Sequence, residues 1–119
     1  MKNRMNVGTY YVGDLCYVFN DENWQTLLKD TDYLRDFSKY EGKMWASSTK
    51  YGDGRYQGND GNSYPVDSGT IGVVSIDLID DMSRTVLGRV IDAEREFTCY
   101  TDKDHTIHIG PIEIPTVWS

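Results

Sequence analysis

Residues 48–71 read STKYGDGRYQGNDGNSYPVDSGTI, and no other part of the chain is as dense in glycine, aspartate and tyrosine. Glycines at 52, 54, 58, 61 and 69, with Gly72 just beyond, allow left-handed backbone and make long, regular strand pairing costly. Gly52-Asp53-Gly54 reads as one turn. Asn59-Asp60-Gly61-Asn62 reads as another, with an Asp-Gly pair suited to a tight hairpin. Between and after them lie the short arms Arg55-Tyr56-Gln57 and Tyr64-Pro65-Val66. The pattern predicts a protruding hairpin and then, through Asp67-Ser68-Gly69, a loop into the β-branched run GTIGVVSIDL at 69–78.

Strand patterns continue outward from this stretch. Residues 43–51 alternate, with Trp45 and Ser47 on one face and Met44, Ala46 and Ser48 on the other. Residues 85–92 and 94–101 read as two strands, and 105–114 as a return strand after the polar turn Asp102-Lys103-Asp104-His105. That hairpin sets Phe97 and Cys99 across from Ile107 and Ile109. Upstream, residues 7–19 (VGTYYVGDLCYVF) predict two strands about Gly13-Asp14, the second apolar at every position and so buried on both faces. The helical pattern falls at 21–40. Asn20 or Asp21 caps its start, Trp24, Leu27, Leu34 and Phe37 form an apolar stripe, and Gly42 stops it. Asp30-Thr31-Asp32 offers a second cap, which predicts two short helices, 22–29 and 32–39. These signals amount to one α+β domain over residues 1–119: about six to eight mainly antiparallel strands with a helical segment on one face.

Composition narrows the function classes. The chain has 119 residues, 39% of them hydrophobic, and nine tyrosines against three phenylalanines. Tyrosine buries a ring while keeping a hydroxyl wet, which suits sheet faces and binding surfaces. The net charge of −7 excludes sequence-independent binding to nucleic acid, and it suits a basic partner or a mimic competing for a basic groove. No apolar run is long enough to span a membrane, and the opening residues MKNRMNVGTYY lack the apolar core of a signal peptide. Two distant cysteines, Cys16 and Cys99, in apolar settings predict buried free thiols and a cytoplasmic protein; a single disulfide between them is the alternative.

The candidate site is a pocket or edge formed by Tyr51, Asp53, Arg55, Tyr56, Tyr64, Asp67 and Ser68, joined by Asp14. Tyrosine rings can stack on a flat ligand, arginine can pair with a phosphate or carboxylate, and N–H groups beside glycine can hold an anion. Glycines that serve only tight turns are the competing reading. Asp14 with Asp53 or Asp67 could do acid–base work if the fold joins them. Ser68, His108 and Asp67 make a triad only on paper, with no nucleophile elbow around the serine. The Asp/Asn spacing does not match an EF-hand. His105 and His108, three apart on a strand, would face opposite sides and could not share a metal. No cofactor motif is present.

The segments Tyr11-Val12-Gly13-Asp14-Leu15-Cys16-Tyr17, Tyr51-Gly52-Asp53-Gly54-Arg55-Tyr56 and Val66-Asp67-Ser68-Gly69-Thr70-Ile71-Gly72, with Trp24, resemble a family of small uncharacterised bacterial and phage proteins carrying GDxCY, YGDGxY and VDSGxIG motifs. The resemblance implies that the three Gly-Asp elements share one site or one structural knot. It also implies a phage-type inhibitor or sequestering protein directed at host defence, and it carries no catalytic residue. The expectation is therefore a non-catalytic binding protein for a small polar ligand or a host protein, acting as a monomer or homo-oligomer. A small Asp/His/Tyr hydrolase and an acidic nucleic-acid mimic are the alternatives.

Overall fold

The computed structural model describes residues 3–117. Its ten strands are β1 (Asn3–Met5), β2 (Gly8–Gly13), β3 (Met44–Ser48), β4 (Gly54–Gln57), β5 (Ser63–Val66), β6 (Thr70–Ser75), β7 (Arg89–Ala93), β8 (Phe97–Thr101), β9 (Thr106–Ile109) and β10 (Ile112–Pro115). The single α-helix among the described residues, α1, spans Asp21–Asp30. One antiparallel sheet has the order β1-β8-β9-β10, a second β3-β6-β2-β7, and β4-β5 form a separate hairpin. The class is α+β and mainly antiparallel, as the sequence predicts. The strand count is higher because Gly110-Pro111 turns the chain and splits the last run into β9 and β10, and because Asn3–Met5 add β1 on the edge of β8. No helix among the described residues is long and apolar enough to cross a membrane.

The second sheet separates two cores, and β2 explains why. Its neighbours Tyr10 and Tyr11 point to opposite faces, as strand alternation requires. Tyr10 joins Val12, Trp45, Ile71 and Val73 in the main core between the two sheets and the hairpin. Tyr11 joins Leu15, Val18, Met44 and Val74 in the smaller core under α1. Each ring keeps its hydroxyl satisfied: Tyr10 donates to the Asn6 and Gly42 carbonyls at 2.7 and 2.9 Å, and Tyr11 to that of Asp14 at 2.9 Å. An edge-on contact between Tyr10 and Phe97, 5.2 Å between centroids, joins the sheets across the main core.

Four expectations change. Residues 15–17 form a single 3-10 turn rather than a strand, because Asp14 caps it by accepting from the Cys16 N–H; the strand buried on both faces is β2. The second helix is replaced by a left-handed turn at Asp32, Tyr33 and Leu34, with φ of 48°, 56° and 66°, and a 3-10 turn at Ser38–Tyr40. The strand expected at 85–92 is shorter, since Met82–Leu87 are 3-10 and β7 starts at Arg89. The β4-β5 hairpin does not protrude: Tyr56, Tyr64 and Val66 lie in the main core. Both cysteines are free.

Candidate functional site

Asp14 is the centre of the Gly-Asp elements. It follows the last residue of β2 and is fully buried. One carboxylate oxygen accepts from the Cys16 N–H at 3.0 Å and the Ser68 hydroxyl at 2.7 Å. The other accepts from the Asp67 and Ser68 N–H groups, both at 2.7 Å. Four donors fill the acceptor sites a carboxylate has. This satisfies a buried charge that would otherwise be costly, and it clamps the 67–68 loop to the end of β2. The Ser68 hydroxyl is also bonded to Thr70 Oγ1 at 2.8 Å. Asp67 turns its own side chain to solvent, where the Tyr17 hydroxyl donates to it at 2.8 Å. Burial, reinforced by that bond, pushes the Tyr17 hydroxyl above its ordinary pKa. Burial and the neighbouring Asp14 likewise push up the Cys16 thiol, which leaves it a poor nucleophile.

The 49–54 loop lies against this knot. The Thr49 N–H bonds to the Gly69 carbonyl at 3.0 Å, and its hydroxyl donates to the Gly52 carbonyl at 2.6 Å. Tyr56 supports the loop from beneath, its hydroxyl donating to the same Gly52 carbonyl at 2.9 Å. A methyl added at Gly69 would sit 3.9 Å from Gly52 Cα and 4.0 Å from an Asp53 carboxylate oxygen, so the two loops are direct neighbours. Tyr51, Asp53 and Asp67 are exposed.

The structure therefore divides the eight candidate residues. Asp14, Asp67 and Ser68 form one knot, and Tyr51 and Asp53 stand on the loop beside it. Two assignments are corrected. Tyr56 and Tyr64 cannot stack on a ligand at the surface, since their rings are 1% and 0% exposed in the main core. The Tyr64 hydroxyl goes instead to Asp60 at 2.5 Å, and Asp60 pairs with Arg89 at 2.9 Å. Arg55 is exposed on β4 and reaches across the hairpin to Ser63 at 3.4 Å. The paper triad does not assemble: Ser68 is bonded to Asp14 and Thr70, and His108 is bonded to Asp102 at 2.8 Å.

Sequence reasoning missed two groups. Tyr17 was placed in a buried strand, although its position in the GDxCY motif was the available signal. The Asp102–His108 pair, with the Tyr100 ring stacked on the imidazole at 4.3 Å, forms across the β8-β9 turn. Asp102 also accepts from the Asp104 and Thr106 N–H groups, so it holds that turn closed. The His108 bond, aided by the Thr106 N–H, keeps its carboxyl below the usual aspartate range. His105 is a turn residue with φ of 64°, as its setting predicts. No family model, no curated protein and no solved structure matches this chain.

Proposed function

We propose that this is a non-catalytic binding protein that docks a basic partner protein through the paired loops at 51–53 and 67–68. The observation that carries the reading is the wiring of these loops. A buried carboxylate with four donors, and a buried tyrosine–threonine pair, fix two short loops whose outward side chains are Tyr51, Asp53 and Asp67, with Tyr17 braced against Asp67. Loops fixed before binding lose little entropy on docking, and tyrosine with a carboxylate gives contact area and a charge-assisted acceptor on one surface. The net charge of −7 favours encounter with a basic surface. A phage-type inhibitor, the setting the motif resemblance implies, would use such a face to cover a basic site on a host protein. Acid–base chemistry has less in its favour: Asp14 has no acceptor site left, and the Ser68 hydroxyl is held between Asp14 and Thr70.

The test uses immobilised wild type, Asp53→Ala, Asp67→Ala and the double variant against one bacterial lysate. The expected result is a protein retained stoichiometrically by wild type, released by roughly 0.5 M salt, and reduced to about a tenth or less on the double variant. Equal retention by wild type and double variant overturns the placement. A small mass that accompanies the protein in native mass spectrometry and disappears on denaturation would transfer the assignment to a small polar ligand.

A further inference from the structure

The edges of the sheets are not treated alike. β1 is only three residues long. β3 is tied across to the other sheet by Ser47 and Thr101, whose hydroxyls are 2.6 Å apart. β10 is covered by the hairpin tip: the Asn59 N–H bonds to the Glu113 carbonyl and Asn59 Oδ1 accepts the Glu113 N–H, both at 2.9 Å. β7 is tied only at its first residue, by Arg89 to Asp60 of the hairpin at 2.9 Å, and beyond that residue it has none of these protections. It pairs with β2 from Gly8↔Ala93 to Val12↔Arg89, and among the described residues no backbone bond leaves it on the other side. Its sequence, Arg-Val-Ile-Asp-Ala, contains neither the proline nor the lysine that commonly blunts an edge.

A groove of about 670 Å³ runs along this strand. Ile91, Ala93, Phe97, Pro111 and Ile112 line it, and the half-buried Ile91, Ala93 and Phe97 are the open rim of the main core. The charges around it are unevenly matched. Arg89 is held by Asp60 at 2.9 Å, and Glu96 lies 3.6 Å from Arg4. Asp92, which accepts from the Thr9 hydroxyl at 2.7 Å, and Glu94 have no ion-pair partner among the described residues, and Arg95 is the one further cation of the lining, so the rim is acidic. Val90 and Asp92 occupy the exposed face of β7, and Arg89, Ile91 and Ala93 the half-buried face.

We propose that β7 accepts an extended segment of a partner protein as a fifth strand of its sheet, a segment that alternates apolar with basic residues. The free N–H and C=O groups of β7 would pair with the segment's backbone. Its apolar side chains would lie over Ile91, Phe97 and Ile112, and its lysines or arginines would stand on the other face beside Asp92. Charge decides against a second copy of this chain as occupant. Two molecules of −7 repel, and antiparallel pairing about Ile91 would set the Asp92 carboxylate of each against Val90 of the other. The surface shares no residue with the 51–53 and 67–68 loops, so the two readings stand or fall separately.

The probe is a synthetic peptide of about eight residues alternating valine with lysine, compared with valine alternating with glutamate and with a block-scrambled lysine peptide. Titration into isotope-labelled full-length protein is followed by amide shifts and hydrogen exchange. The Val/Lys peptide should shift resonances along β7 and the groove and slow exchange of β7 amides that exchange quickly in the free protein. The other two peptides should not. Asp92→Lys with Glu94→Lys should weaken binding roughly tenfold while leaving the free spectrum folded. Shifts spread over the acidic surface without new protection, equal binding of the scrambled peptide, or concentration-dependent dimerisation through β7 would each overturn the proposal.

Discussion

Asp14 shows how one buried side chain fixes a surface. Replacing it with alanine leaves three backbone N–H groups without their acceptor, each such orphan costing roughly 1–3 kcal/mol, and leaves the Ser68 hydroxyl only Thr70. Asp14→Ala is therefore expected to lose at least about 3 kcal/mol in urea denaturation. Ser68→Ala removes one of the four bonds and should cost about 1 kcal/mol. Asp67→Ala, at an exposed side chain, should stay within about 0.5 kcal/mol of wild type. A flat response at Asp14 would mean that the clamp does not hold the loops. A second contrast concerns the cysteines. Burial pushes the Cys99 thiol up to about 12, and its side chain is fully covered. Native alkylation near pH 8 should leave Cys99 unmodified until the protein unfolds; rapid labelling would show that β8 opens. The Gly-Asp motif announced Asp14 in the sequence, but its partners were hidden, because three of the four donors are backbone or serine groups brought from over fifty residues away. Tyr56 and Tyr64 were misplaced for a related reason: a short arm shows that alternate residues share a face, not which face turns inward.

Among elements, the segment after α1 departs furthest from its pattern. The apolar spacing at 32–39 is compatible with a helix, yet Thr31 ends α1 by its own bonds. Its hydroxyl donates to the Leu27 carbonyl at 2.7 Å and accepts the Leu34 N–H at 3.0 Å, and its carbonyl takes the N–H groups of Arg35 and Asp36. Three left-handed non-glycine residues follow, each in a conformation that costs a residue with a Cβ roughly 1–2 kcal/mol. Tyr33 is 69% exposed, so its ring contributes little in return. Tyr33→Gly should therefore raise the urea midpoint, the gain in unfolding free energy being up to about 1 kcal/mol after the entropy of glycine is subtracted. A lower midpoint would place a stabilising contact on that ring. The strands behaved more predictably. Apart from frayed ends, β2, β3 and β6 to β10 lie within the predicted runs and β4 and β5 on the predicted hairpin arms, because alternation and turn residues are local signals; β1 alone has no predicted counterpart. The two glycines that seat β6 against β3 and the start of β7 against β2 were not legible as such. A Cβ at Gly72 would collide with the Trp45 carbonyl, and one at Gly88 with the Val12 carbonyl. Only the paired strand makes those requirements visible. Gly72→Ala and Gly88→Ala should each cost roughly 1–3 kcal/mol.

At the scale of the whole molecule, the hairpin is the piece held mostly by side chains, since among the described residues β4 and β5 form ladders only with each other and the tip reaches β10 through the Asn59–Glu113 bonds. Asp60 at its tip is the ionic fastening. It receives the Tyr64 hydroxyl and the Arg89 guanidinium, and through Arg89 it joins the hairpin to β7. Burial alone would raise its pKa, but the bonds from Tyr64, Arg89 and the Asn62 N–H outweigh that and hold it below the ordinary aspartate value of 3.8. The sign of the pH effect follows. A carboxyl with a depressed pKa in the folded state contributes stability that is fully present above the unfolded value, near 4, and lost as the pH falls through the folded one. Asp102, lowered by His108 and Thr106, acts in the same direction at the β8-β9 turn. Stability of the wild type should thus be nearly level from about pH 7 to 5 and decline below about 4. Asp60→Asn keeps the shape but not the charge, so it should be less stable on the plateau and approach wild type near pH 3, giving a shallower acid slope. Urea midpoints from pH 3 to 7 for both proteins measure this. If the variant runs parallel to wild type throughout, Asp60 is not titrating as the fastening, and the hairpin is held by the buried rings of Tyr56 and Tyr64 and by the Asn59–Glu113 bonds.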